Sequence, residues 1–285
     1  VMISPAFKNI PILPLNDGFD IPQIGLISFR RDPEEKLRSL LLKNLDNGLR
    51  HVEICDLFDN GQIIIDILLD GGAEIRRDKL YLTLKIWPKN RNRQYIYDAF
   101  KEILNNYNLE YFDLVLIHGP LDVVNRIEQY KAIEELKQEG FVHSIGLSNM
   151  THTQLSNILK KCNICPAVIE MEITPFNQAL EITEFCHDNG IIILCDNPLA
   201  KNIYSDRTDL ILIADRLNCT VQQLLIRWSI TKGYAVLIPP DHEGIGNDIR
   251  PLCEHLSSDI IEELDSMNEG LITTWQTNEE GGDEG

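Results

Sequence analysis

The 285-residue chain is 44% hydrophobic and 25% charged, proportions of a globular protein with a large core. Its formal net charge of −18 sets a long-range field that repels phosphate, which argues against nucleic-acid and anionic-membrane partners. Seven cysteines, an odd number scattered along the chain, fit a reducing, cytoplasmic setting, and the Cys162–Cys165 pair has no second pair with which to hold zinc.

In chain order, Asp17-Gly18 marks a tight turn, so an N-terminal β-hairpin is expected over about residues 12–22. Short apolar runs then alternate with longer amphipathic ones. The runs read as strands are Gln23–Phe29, Arg50–Cys55, Leu80–Ile86, Phe112–Ile117, Val142–Leu147, Ala167–Ile173, Ile191–Cys195 and Ala235–Ile238. Most are rich in Val, Ile and Leu without strict alternation, as strands buried on both faces should be. The helical patterns are Pro33–Asn47, Arg93–Asn108, Ile127–Gln138, Thr151–Lys161, Leu180–Asn189, Ser205–Leu217, Val221–Thr231 and Leu256–Met267. Thr151, Thr220 and Ser257 stand where N-caps belong, and Glu139-Gly140 and Asn189-Gly190 where helices end.

Eight such units without a linker predict a single α/β domain, a (β/α)8 TIM barrel over residues 1–275, followed by an acidic tail over 276–285 that is expected to be disordered. An open doubly wound sheet is the alternative, but the first strand lacks its Gly-x-Gly-x-x-Gly turn. No apolar run reaches the roughly 20 residues that span a bilayer, and the opening residues have no basic segment followed by an apolar one. In a barrel of this kind, chemistry sits at the C-terminal ends of the strands.

At those ends stand Gly48-Leu-Arg-His51-Val-Glu53, Leu82-Thr-Leu-Lys85-Ile-Trp87, Phe112-Asp113-Leu-Val-Leu-Ile-His118, Glu134-Glu135-Leu-Lys-Gln-Glu139-Gly140 and Ser144-Ile-Gly146-Leu-Ser148-Asn149. With Glu172, Pro175 and Trp228, they make the chain resemble the aldo-keto reductase family over nearly its whole length. The resemblance implies NADPH-dependent reduction of aldehydes or ketones. In that family the nicotinamide delivers hydride and a tyrosine phenol beside a lysine–aspartate pair gives the proton, while a histidine orients the carbonyl.

Carried over position by position, the catalytic set is Glu53, Phe58, Lys85 and His118. Phe58 falls where the tyrosine belongs and has no proton to give, a loss that typically costs 10²–10⁴-fold in rate. The cofactor positions fall on Ile27, Ser148, Asn149, Glu170, Asp196 and Asp241. Four of them are unfavourable. Ile27 replaces a close-approach glycine, Glu170 the glutamine that holds the carboxamide, and Asp196 the ring that stacks on nicotinamide. Pro240-Asp241 replaces a phosphate-binding Lys-Ser, leaving Arg250 as the cation beside that stretch.

These losses predict a catalytically inactive or strongly impaired homologue that holds no cofactor and acts through protein or ligand binding, as a regulatory or scaffolding subunit with an unidentified protein partner. One alternative is a working oxidoreductase with a rearranged donor, for which NADPH is the cofactor. The other is an acidic mouth of Glu53, Asp56, Asp59, Glu170, Asp196 and Asp241 that takes a small cationic molecule or a divalent ion. On the bland reading of the same residues, Lys85 and Glu53 are a buried ion pair, His118 is a satisfied core histidine, and Cys55 and Cys195 are small buried fillers rather than redox-responsive thiols.

Overall fold

The computed structural model describes residues 10–27, 32–69, 75–88, 92–119, 126–241 and 249–273, with the backbone of 276–277 and 283–284. Eight parallel strands close into a barrel: β3 (Ile24–Leu26), β4 (His51–Cys55), β5 (Tyr81–Ile86), β6 (Phe112–His118), β7 (Val142–Ser148), β8 (Val168–Glu172), β9 (Ile192–Asp196) and β10 (Ala235–Ile238), with β10 returning to pair with β3. The expected hairpin is formed by β1 (Ile12–Pro14) and β2 (Asp20–Pro22), with Ile12 opposite Pro22. Its turn uses Gly18 at φ +89°, a conformation only glycine adopts freely.

Around the barrel lie α1 (Glu34–Asp46), α2 (Gly61–Leu69), α3 (Arg93–Asn106), α4 (Arg126–Gln138), α5 (His152–Leu159), α6 (Leu180–Asp188), α7 (Thr208–Arg216), α8 (Val221–Thr231) and α9 (Ser258–Asp265). Two corrections apply. The helix α2 is absent from the sequence reading. Ser257 takes the N-cap position of α9 but makes no capping bond, whereas Thr151 and Thr220 each complete a capping box with Gln154 and Gln223. The ends at Ser28 and Phe29 of the first expected strand, and residues 278–282 and 285 of the tail, lie outside the described residues; Gln276–Thr277 pairs antiparallel with Asp283–Glu284.

Burial divides into two apolar layers. The larger lies between strands and helices and includes Leu37, Phe100, Tyr130, Ile133 and Trp228. The smaller fills the lower barrel interior with Leu114, Leu116, Val168, Leu194 and Leu237, and Leu15 and Ile21 of the hairpin segment pack on it. Because alternate residues of each strand turn inward, the next inward positions up the strands are Glu53, Lys85, His118, Ser148, Glu170 and Asp196. The apolar floor thus delivers a cluster of polar groups to the C-terminal mouth.

Close approach of neighbouring strands depends on Gly146 of β7. A Cβ there would lie 2.2 Å from the Val168 carbonyl oxygen and 2.8 Å from Leu116. The Gly146-Leu-Ser148-Asn149 segment therefore packs β7 against β8 before it presents Ser148.

Candidate active site

Lys85, at the end of β5, sits between two carboxylates. Its Nζ is 3.1 Å from Glu53 Oε1 on β4 and 2.8 Å from Glu170 Oε1 on β8. Both glutamates have no solvent exposure. The expected Glu53–Lys85 pair is present, and Glu170 joins it as a second acceptor. Burial pulls the ammonium down, but Glu170, Glu53 and Asp196 outweigh it and hold Lys85 well above the usual lysine range. For Glu170 the balance runs the other way: burial and the neighbouring Glu53 push its carboxyl well up despite Lys85. Burial likewise raises Asp196 to about 6, opposed by Lys85 and helped by Glu172 and Glu53.

From Glu170 the hydrogen bonds continue sideways. Ser148 Oγ is 3.1 Å from Glu170 Oε1, and His118 Nδ1 is 3.1 Å from Ser148 Oγ. The register places His118 opposite Ser148 and Ser148 opposite Glu170 on three adjacent strands. Trp87 stacks on the His118 ring at 3.9 Å and 16°. Burial, then Lys85, lowers the His118 imidazole to about 3, so the ring is neutral at physiological pH.

Four buried polar atoms around this network have no hydrogen-bond partner in the protein: His118 Nε2, Glu170 Oε2, Asp196 Oδ1 and Asn149 Nδ2. A buried orphan costs about 1–3 kcal/mol, and four in one place are the signature of a ligand site. Asn149 is held at φ +58° just beyond Ser148, and its N–H donates to the Glu170 carbonyl at 2.8 Å. Its side-chain donor and the free Glu170 oxygen therefore belong to neighbouring strand ends.

The remaining expected positions are placed as follows. Ile27 packs half-buried on the inner apolar cluster, and its N–H donates to Ile238 at 3.0 Å. Phe58 ends a short 3-10 turn, Asp56–Phe58, and is half-buried. Asp241 is exposed, near Lys36 of α1. The six-carboxylate mouth does not assemble. Asp56 accepts the Trp87 N–H at 2.8 Å, and Asp59 and Asp241 face solvent, so Glu53, Glu170 and Asp196 alone surround Lys85. Among the described residues no group of three or more His, Cys, Asp or Glu could hold a metal ion. Cys55 and Cys195 are buried, and burial pushes the Cys55 thiol up to about 12, so neither presents a thiolate. Residues 242–248 and Ser28–Arg31, which flank the expected phosphate groove, lie outside the described residues.

One participant, Thr273, escapes the sequence reading. Glu172 accepts hydrogen bonds from Thr273 N and Oγ1 at 2.7–3.0 Å, and Asn197 donates to Thr273 Oγ1 at 2.8 Å, so the chain after α9 crosses the mouth beside Asp196. No local signal announces Thr273, whose partner is 101 positions away.

Comparison with known proteins agrees with this geometry. The Aldo/keto reductase family is matched over residues 23–223. A glyoxal reductase of Bacillus subtilis is 28% identical, covering 89% of this chain and 91% of its own. A glycerol 2-dehydrogenase (NADP(+)) of Hypocrea jecorina is also 28% identical, covering 78% and 81%. The aldose reductase structure from Schistosoma japonicum superposes with a TM-score of 0.82 at 26% identity over 92% and 94%. These relatives overturn the expectation of an inactive regulatory or scaffolding barrel that holds no cofactor: they are named for reduction and dehydrogenation, one with NADP(+) in its name. That expectation rested on the joint losses at Ile27, Phe58, Asp196 and Pro240, and it also counted Glu170 as a loss, which its chemistry does not require. A carboxylate oxygen accepts an amide N–H as well as a glutamine oxygen does.

Proposed function

The chain belongs to the aldo/keto reductase family, matched over residues 23–223, and on that premise we propose that it is an NADPH-dependent oxidoreductase that reduces aldehydes or ketones to alcohols. The observation that carries this reading is the pair of orphaned atoms at the mouth, Asn149 Nδ2 and Glu170 Oε2. A nicotinamide carboxamide offers an acceptor oxygen for the first and an amide donor for the second. The residues present therefore fit the nicotinamide end of the cofactor, with Asn149 and Glu170 holding it and Ser148 beside them. When bound, the reduced nicotinamide supplies hydride to a carbonyl carbon.

The protein's own groups do the rest. His118 Nε2 is a buried ring nitrogen with no protein partner, suited to hold a carbonyl oxygen. Trp87 covers one face of that ring and fixes its plane. Lys85 places a positive charge where negative charge develops on the oxygen. Asp196 replaces a stacking ring by a carboxyl raised to about 6, which is still mostly ionised at pH 7, so the wall it forms is polar and negative. Near the expected phosphate groove, Lys36 of α1 is ion-paired with Asp32 at 2.8 Å and lies close to Asp241, so it does not replace the charge lost at Pro240.

All seven cysteines are free, which supports a reducing compartment such as the cytoplasm. No helix among the described residues is long and apolar enough to cross a membrane.

Fluorescence titration with NADPH to low-millimolar cofactor tests the reading. Saturable binding is expected, weakened about tenfold by Asn149→Ala, the loss of roughly one hydrogen bond at 1.4 kcal/mol per tenfold. A wild-type protein that shows no binding over that range refutes it. Binding followed by aldehyde-dependent NADPH oxidation completes it.

A further inference from the structure

Cofactor binding does not account for the line of hydrogen bonds across the mouth. It runs from His118 Nδ1 to Ser148 Oγ (3.1 Å), to Glu170 Oε1 (3.1 Å), to Lys85 Nζ (2.8 Å) and on to Glu53 Oε1 (3.1 Å). Every member is buried. One end, Glu53, is anchored on an ammonium; the other, His118 Nε2, has no protein partner. The family's proton donor is missing at Phe58.

Charge counting says where a proton sits. Glu53 and Glu170 are hydrogen-bonded to each other and both lie within hydrogen-bond reach of one ammonium, with Asp196 of β9 and Glu172 of β8 nearby. One ammonium neutralises one carboxylate. The second, itself fully buried, lowers its free energy by binding a proton. Its position on Glu170 decides the state of the whole line. With Glu170 ionised, Ser148 Oγ–H donates to it, His118 Nδ1–H donates to Ser148, and Nε2 is a bare lone pair. With Glu170 protonated, its O–H donates to Ser148, Ser148 donates to Nδ1, and Nε2 carries the hydrogen and faces the mouth as a donor.

We propose that Glu170 is the proton reservoir for carbonyl reduction and that Ser148 relays its proton to His118, whose Nε2–H acts as the acid in place of the phenol absent at position 58. The inference rests on the oxidoreductase reading above. A bound reduced nicotinamide would supply hydride to the carbonyl carbon, and the carbon–oxygen π pair would then move onto oxygen. That oxygen takes the Nε2 proton. Nδ1 takes the Ser148 proton and Ser148 takes the Glu170 proton, leaving a carboxylate held by Lys85. The imidazole stays neutral throughout, its hydrogen moved from Nε2 to Nδ1; after the alcohol leaves, solvent at the mouth returns one proton to Nε2 while the Nδ1 proton passes back through Ser148 to Glu170. The depressed basicity of His118 agrees with a neutral tautomer switch, and burial beside Glu53 raises the Glu170 carboxyl, the direction a proton reservoir needs.

Glu170→Gln keeps the shape and the acceptor oxygen but removes the titratable proton. In infrared spectra of the protein alone at pH 7, wild type should show a protonated-carboxyl carbonyl band that weakens as pH rises and is missing from Glu170→Gln. With NADPH and an aldehyde, Glu170→Gln and Ser148→Ala should each lower kcat at least 100-fold, in line with loss of a general acid, while the NADPH Kd of Glu170→Gln moves less than threefold. Adding Phe58→Tyr to Glu170→Gln, which restores the family's own donor, should recover most of the rate. Absence of the Glu170 band at neutral pH, or an unchanged kcat in Glu170→Gln, overturns the relay while leaving cofactor binding standing. A wild type that does not bind NADPH removes the oxidoreductase reading and the relay together.

Discussion

Lys85 does for stability what it does for the site: it keeps two buried carboxylates tolerable. Replacing it by methionine leaves the fully buried Glu53 and Glu170 without their cation. Removing one partner from a buried ion pair costs about 3–5 kcal/mol, and Lys85→Met should show a loss of that size in denaturant unfolding. Lys85→Met combined with Glu170→Gln should recover part of it, because one stranded carboxyl is then gone. If the single substitution costs under 1 kcal/mol, the Glu53–Lys85–Glu170 cluster is solvated and the mouth is wetter than its burial implies.

At this scale the sequence was legible in part. The family resemblance, carried over position by position, located Glu53, Lys85, His118, Ser148 and Glu170, and the structure gathers all five. What spacing does not carry is convergence. Glu170 read as a defective glutamine because its partner Lys85 is 85 positions away, and only a closed barrel brings β5 and β8 together across the interior. Asp56 read as a mouth carboxylate, but its local turn points it at the Trp87 N–H.

Several residues that carried the family resemblance serve whole elements rather than the chemistry. Glu134 of α4 accepts hydrogen bonds from Asn163 N, Ile164 N and Asn163 Nδ2, pinning the Cys162–Cys165 loop that leads into β8. Asp113 of β6 accepts from Arg77 and from the Leu82 N–H, fixing the start of β5. Glu134→Ala would leave the Asn163 and Ile164 N–H groups without their acceptor. Charge-assisted bonds of this kind are worth about 1.5–3 kcal/mol each, so a loss of about 3 kcal/mol is expected in chemical denaturation, with Glu134→Gln milder. Equal costs for the two variants would mean that the charge contributes nothing.

The missed element has a plain cause. In Gly61–Leu69 the residues Ile63, Ile64, Ile65 and Ile67 are β-branched, a composition that favours strands. Tertiary packing overrides it, because Ile64, Ile65, Ile67 and Leu68 all bury against the barrel. Capping was the more dependable signal where a side chain could reach back, as at Thr151 and Thr220, and failed at Ser257, which bonds Asp259 instead.

At the scale of the molecule, the barrel order itself was readable, since eight apolar runs separated by helical ones admit few closed arrangements, whereas the strap that Thr273 makes across the mouth was not. The same closed interior sets the response to pH. His51 and His118 are buried and neutral, with burial lowering them from 6.5 to about 4 and about 3. In the unfolded chain both bind protons below about 6.5. The unfolded state therefore gains protons first as pH falls, and stability drops through that window by about 1.4 kcal/mol per pH unit for each histidine. Glu170 and Asp196 act in the opposite sense. Their folded carboxyls are raised, so the native state holds protons that the unfolded chain releases above its ordinary carboxylate range. Two groups of each kind nearly cancel around pH 5, and wild-type stability should be almost flat there. Glu170→Gln breaks the balance. Its stability relative to wild type should rise by about 1.4 kcal/mol for each pH unit from about 4.5 up to the raised folded value, because there the unfolded wild-type chain ionises at Glu170 while the folded one keeps its proton. Denaturant midpoints of both proteins from pH 4.5 to 7 measure this directly. A difference that stays constant across the range would mean that Glu170 titrates as it does in the unfolded chain, and that the barrel interior leaves its carboxyl unperturbed.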